Sequence, residues 1–216
     1  MATGALWGIP MTTDFLTLTQ WLSPAFPLGS FAYSHGLETA MQDGRVKDAA
    51  GLEDWLSVIL EEGSGRTDAI LLCAALDGQD VAALAVAMAP SRERLEETLA
   101  QGAAFASTLR AMGRQVPDAP LPVAVGVACR GSNLDKHLIA SVYLQNFMSN
   151  LVQIGVRFIP LGQREGQAIL GRLNAKIGVV AEHAEAASVD DIASGAFMSD
   201  FSSMRHEAQP IRMFQT

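Results

Sequence analysis

A chain of 216 residues suits one domain or at most two small ones, and can bury about 70% of its unfolded surface without a disulfide or metal. Its 49% hydrophobic and 18% charged residues exclude disorder, and abundant alanine with 6% aromatics points to helices. A formal net charge of −8 disfavours nucleic acid and anionic lipid and suits a partner with a basic face.

Residues 1–11 lack a basic start followed by an apolar run, so no leader is expected; residues 1–12 read as a flexible N-terminus and the chain as cytoplasmic. Thr13 and Asp14 cap a first helix that Pro24 stops after Leu22. A second is expected from Ser34, as cap, to Gly44. Asp48 opens a third, where Leu52, Trp55, Leu56, Ile59 and Leu60 recur at helical spacing before Gly63 and Gly65. Residues 67–77 and 79–89 read as two short apolar helices closed by Pro90. Ser91 caps a longer helix to Gly113, with Glu93, Glu96 and Glu97 near its positive end.

After the break at Pro117-Asp118-Ala119-Pro120, residues 121–129 read as a short buried helix. A long helix follows from Asn133, with Tyr143, Phe147, Leu151, Ile154 and Phe158 about four apart. Ile159-Pro160-Leu161-Gly162 interrupts it, and Gln163–Glu185 continues as helix. Between Lys136 and Arg157 no Asp, Glu, Lys or Arg occurs, a span long enough for a bilayer. Gln145, Asn146, Ser149, Asn150 and Gln153 fall inside it, and amides at that density favour the centre of a bundle. A last helix is predicted over Asp190–Asp200, followed by a partner-binding tail over 201–216. The expected architecture is a single all-α domain over 1–216, a compact bundle of about nine to ten helices.

Catalytic constellations are sparse. No Gly-x-Ser-x-Gly elbow, phosphate loop or dinucleotide fingerprint occurs. His35, His137, His183 and His206 form no tight ligand pair, and Cys73 and Cys129 sit in apolar segments as buried thiols. No catalytic, cofactor or metal residue is therefore assigned. One alternative stays open: an all-α enzyme or small-molecule binder that uses His35 and Glu38, at i and i+3 of the second helix, as an acid–base pair beside Tyr33.

Three separated stretches instead read as interface. The first is Ser23-Pro24-Ala25-Phe26-Pro27-Leu28-Gly29-Ser30-Phe31-Ala32-Tyr33-Ser34-His35-Gly36-Leu37-Glu38, where prolines, glycines, aromatics and hydrogen-bonding groups crowd together. The second is Arg157-Phe158-Ile159-Pro160-Leu161-Gly162-Gln163. The third is Met204-Arg205-His206-Glu207-Ala208-Gln209-Pro210-Ile211-Arg212-Met213-Phe214, whose apolar anchors amid charged hydrogen-bonders suit a segment that orders on a partner. Within them Pro27, Gly29, Ser30, Tyr33, Ser34, His35, Gly36 and Glu38 are candidate partner-binding residues. So are Arg157, Pro160, Gly162 and Gln163, and in the tail Arg205, His206, Glu207, Gln209 and Arg212.

In this order the three stretches resemble the urease accessory protein UreF family, with Phe26 where leucine is usual and Ala208 and Pro210 where the family often has threonine and tyrosine. The resemblance implies an all-α, non-enzymatic maturation factor. Such a factor bridges the accessory protein UreD (also called UreH) and the GTPase UreG, and regulates GTP-dependent nickel insertion into apo-urease. It implies a homodimer, a role for Glu38 in coupling GTPase activity to metal fidelity, a GTPase-facing Arg157, and a tail that orders against UreD.

Overall fold

The structure, a computed structural model, describes residues 13–215. The fold is all-α, with ten α-helices among the described residues: α1 (Thr13–Trp21), α2 (Leu37–Gln42), α3 (Ala49–Glu62), α4 (Ser64–Leu76), α5 (Ala82–Ala87), α6 (Arg92–Ala111), α7 (Leu121–Cys129), α8 (Lys136–Phe158), α9 (Gln163–Ala186) and α10 (Phe197–His206). Short 3₁₀ turns stand at Ser30–Ala32 and Val189–Asp191. The predicted flexible stretch, 1–12, lies outside the described residues.

Side-chain caps set several helix starts. Asp48 Oδ1 accepts the Gly51 amide at 2.9 Å, Ser91 Oγ that of Arg94 at 3.2 Å, and Asp135 Oδ1 that of Leu138 at 2.6 Å. The first two are the caps expected from sequence; the third moves the start of the long helix from Asn133 to Lys136. Asp14 is spent elsewhere: its carboxylate accepts from the backbone and side chain of Asn133 at 2.9 and 3.2 Å, tying α1 to the turn before α8.

α8 and α9 form a long helical hairpin at the centre, joined through Ile159-Pro160-Leu161-Gly162. α3 and α4 pack across it, α7 covers α4, α6 covers α7, and α10 lies against α2 and α6. Leu52, Leu56, Ile59 and Leu60 are buried as their spacing demands, and Trp55 packs at the edge of the same core. The α8 series also holds: Tyr143, Leu151 and Ile154 are buried, while Phe147 and Phe158 turn toward the first and third sequence stretches. Cys73 and Cys129 are buried free thiols, and burial pushes them up to about 11 and about 12. Among the described residues no helix is long and apolar enough to cross a membrane.

Four predicted helices are corrected. The second begins at Leu37 and not at Ser34, because His35 (φ 54°) and Gly36 (φ 73°) are both left-handed and interrupt any helix there. Ser34 Oγ still accepts the Glu38 amide at 3.3 Å, so it serves the same helix from one turn earlier. The last helix is not Asp190–Asp200. Asp191 accepts from the Ser188 amide and hydroxyl at 2.8 and 3.0 Å, closing a one-turn box. The Gly195 amide then donates to Glu62 O at 2.7 Å, which holds the chain as a strap before α10 starts at Phe197. The front of the expected tail, 201–206, is thus helix. The apolar helices predicted over 67–77 and 79–89 run instead over Ser64–Leu76 and Ala82–Ala87.

Close backbone approaches lock the helix layers. A Cβ built on Gly102 of α6 would lie 1.8 Å from Ala119 O. Ala119 C and Leu121 N lie next, and all three atoms are backbone, so the clash cannot be relieved by a side-chain rotation. Gly102→Ala is expected to cost about 1–3 kcal/mol, read as a lower urea midpoint at unchanged m-value.

Candidate functional site

The first stretch is folded by its own composition. Phe26 and Leu28 bury, Phe26 meeting Phe105 at 5.7 Å between ring centres, while Pro24, Pro27 and Phe31 stay exposed. Gly29, left-handed at φ 71°, turns the chain into the 3₁₀ turn. At Gly36 the backbone is both left-handed and overlaid by α10. A Cβ there would lie 2.7 Å from Ser203 N and 2.8 Å from Ser199 O.

This turn sends His35 and Glu38 into different surroundings, so the acid–base pair weighed from sequence does not form. His35 Nε2 lies 2.8 Å from Arg94 Nη1 and 3.0 Å from Glu97 Oε1, and its ring meets Phe147 at 4.8 Å. Arg94 also pairs with Glu97, and Gln101 donates to Glu97 at 2.9 Å. Close by, Tyr143 Oη donates to Asp68 at 2.8 Å. Burial, then the Arg94 charge, lowers the His35 value against a smaller opposing effect of Glu97, which favours the neutral ring. Burial raises the Glu97 carboxyl, but Arg94 first and His35 second more than reverse this and hold it at about 2. Burial raises Asp68 to about 6, against the pull of Arg94 and the Tyr143 hydroxyl.

Glu38, 1% exposed, belongs to a second network. Its carboxylate accepts from Gln42 Nε2 at 3.1 Å and from the amides of Met213 and Phe214 at 3.1 and 3.0 Å, and lies 3.1 Å from His206 Nε2. The other His206 ring nitrogen, Nδ1, lies 2.8 Å from Glu93 Oε2, and Arg212 donates to Glu93 Oε1 at 2.6 Å. Gln209 donates to Thr39 at 2.8 Å, and the Gln215 amide to Ala32 O at 2.7 Å. The third stretch is therefore wound back onto the first. It also reaches the second, because Phe214 packs on Phe158 at 5.1 Å and lines a surface cleft with Arg157 and Met213.

The candidate residues thus divide by depth. Ser34, His35, Gly36, Glu38 and His206 are buried and shape the surface from below. Pro27, Arg157, Pro160, Gly162, Gln163, Arg205 and Arg212 are exposed; Gly29, Ser30, Tyr33, Glu207 and Gln209 are half-buried at its edge. Arg205 pairs with Asp43 and Glu207 with Arg92, both between the tail and the body.

Glu93, Arg94, Asp68 and Tyr143 do not stand out in the sequence as site residues. A signal exists in the four-residue series Glu93, Glu97, Gln101, Phe105, Leu109, which carries charged side chains onto the buried face of α6. The cavity beside His35, Asp68, Arg94 and Tyr143 is about 30 Å³, room for water and far short of a metabolite. Among the described residues no group of three His, Cys, Asp or Glu side chains is disposed to hold a metal ion.

The Asp68 environment has a stability consequence. Its folded value, about 6, lies above the ordinary carboxylate value of 3.8, so between those limits the folded chain holds a proton that the unfolded chain has lost. That favours the fold at the low end of the window and is lost as pH rises through 6. Asp68→Asn is expected to gain about 1–3 kcal/mol relative to wild type between pH 4 and pH 7, measured from urea midpoints at both pH values. An unchanged difference would refute the assignment.

The UreF family model matches residues 46–174. The chain is 52% identical over 210 residues to the urease accessory protein UreF of Cereibacter sphaeroides (strain ATCC 17025 / ATH 2.4.3), covering 95% of this chain and 100% of that one. It is 46% identical to the protein of that name from Jannaschia sp. (strain CCS1), covering 95% and 96% of the two chains. With urease accessory protein UreF 1 of Brucella canis it shares 43% identity over 218 residues, covering 95% of each. The chain belongs to the UreF family of urease accessory proteins.

Proposed function

We propose that this chain is a urease maturation factor that bridges the UreD/UreH accessory protein and the UreG GTPase, and so regulates GTP-dependent nickel insertion into apo-urease. The observation that carries this reading is the convergence of three stretches, far apart in sequence, on one face built around Glu38, His206 and Phe214. Family membership supplies the urease context.

The converged face has the composition of an interface. Phe197, Met198, Phe201 and Met204 are all exposed on α10, and Ile211 and Met213 continue the apolar surface along the tail. Such side chains supply contact area at a recognition site, while Arg157, Arg205 and Arg212 give its edge directional hydrogen bonds. In this reading UreD docks on α10 and the tail, and UreG meets the α8–α9 turn beside Arg157. Nickel is cargo of the assembly, and the chain acts as a cytoplasmic homodimer. Glu38 acts through the tail it holds, since its own carboxylate is enclosed.

Pull-down with the matching UreD and UreG is expected to give a ternary complex; no complex under any nucleotide or nickel condition would reject the proposal. Phe201→Asp with Met204→Asp is expected to weaken UreD capture by about tenfold or more while leaving the helical content unchanged. Wild-type capture by that variant would remove α10 from the interface.

A further inference from the structure

The arrangement around His206 goes beyond partner recognition and rests on contacts within this chain alone. Both ring nitrogens face carboxylate oxygens: Nδ1 is 2.8 Å from Glu93 Oε2 and Nε2 is 3.1 Å from Glu38 Oε2. The side chains of His206, Glu38 and Glu93 are 0%, 1% and 3% exposed, so no bulk water shares the load. A neutral imidazole carries one N–H and one lone pair. With two acceptors opposite, the neutral ring would press its lone pair on a carboxylate. The enclosure therefore needs one further proton, on the ring or on one of the two carboxyls.

We infer that closure of the C-terminal segment onto the body is proton-linked: the docked segment holds a proton in the Glu38–His206–Glu93 cluster that the undocked segment releases. The charges facing the ring fit this balance. Glu38 comes from α2 and Glu93 from α6, while Arg212 reaches Glu93 from the tail. With imidazolium in place, two cations meet two carboxylates; without the proton the enclosed set carries a net −1 that burial makes costly. Around it the pairs Arg205–Asp43 and Arg92–Glu207 are already matched. Arg45 is taken up by Asp43 and by Ser202 Oγ.

The same two carboxylates grip the rest of the segment. Glu38 accepts the amides of Met213 and Phe214, and Glu93 accepts Arg212. Loss of the cluster proton thus loosens the end of α10 and the strand of tail beyond it together. Undocking returns the ring and both carboxylates to water, which removes the enclosure that requires the extra proton. The direction follows: undocking releases a proton, so it is favoured as pH rises, by up to about tenfold per pH unit while the docked cluster remains protonated.

Amide hydrogen exchange of Met213 and Phe214 in the full chain, corrected for intrinsic rates from pH 6.5 to 8.5, reads the opening equilibrium directly. The wild type is expected to open progressively with pH, with core amides of α8 unaffected. His206→Gln is expected to flatten that dependence. Glu93→Gln should flatten it too while keeping the segment docked, because a carboxamide N–H can meet the lone pair of a neutral ring. If His206→Gln does not fold, Glu93→Gln alone decides. An opening equilibrium independent of pH in wild type, or an undiminished slope in the folded variants, would overturn the inference.

Discussion

The first two turns of α6 are the constraint on which the rest of the molecule hangs. They carry Glu93, Arg94 and Glu97 into the interior, where each is under a tenth exposed. Buried charges are tolerated only when partnered, and removal of one partner from such a set is far more costly than its presence is favourable. Each residue thereby dictates a neighbour. Arg94 and Glu97 fix His35 and the left-handed turn before α2, and Glu93 fixes His206 and Arg212. The ionic groups act as a specification of how the first and last parts of the chain meet.

That dependence explains what sequence could show. Helix periods and caps such as Asp48 and Ser91 are local, so an all-helical bundle and the two long helices on either side of residues 159–162 are legible from residues a few positions apart. The start of α2 was not, because the choice between helix and left-handed turn at His35 is settled by Arg94 and Glu97, about 60 positions away. The final helix was misplaced for a similar reason. Asp190 and Asp191 look like a helix start, but the strap to Glu62 is a tertiary contact with no local mark. At the candidate site, composition identified the three stretches and nothing in it showed that they touch. Their mutual contacts run through side chains at separations such as Glu38 to His206, where no periodicity operates.

Depth also changes how the candidate residues should be understood. Ser34, His35, Glu38 and His206 have the polar character of contact residues, yet they are enclosed. A mutation at any of them would reach a partner only by altering the surface above. Under the proposed function the interface is layered: a polar lower tier determines the shape, and an outer tier of Phe201, Met204, Ile211 and Met213 supplies area. The small cavity beside Tyr143 and Asp68 belongs to the lower tier and gives it room for water where packing by charged groups is imperfect.

Glu38 and His206 are separated by 168 positions, and that distance imposes an order on synthesis. Helices emerge from a ribosome in sequence, so α2 and α6 are made long before the residues that will neutralise their carboxylates. Until then Glu38 and Glu93 must remain hydrated, and Gly36 has nothing lying across it. A bundle formed in that order has an unsealed seam, closed by contacts that span 168 positions.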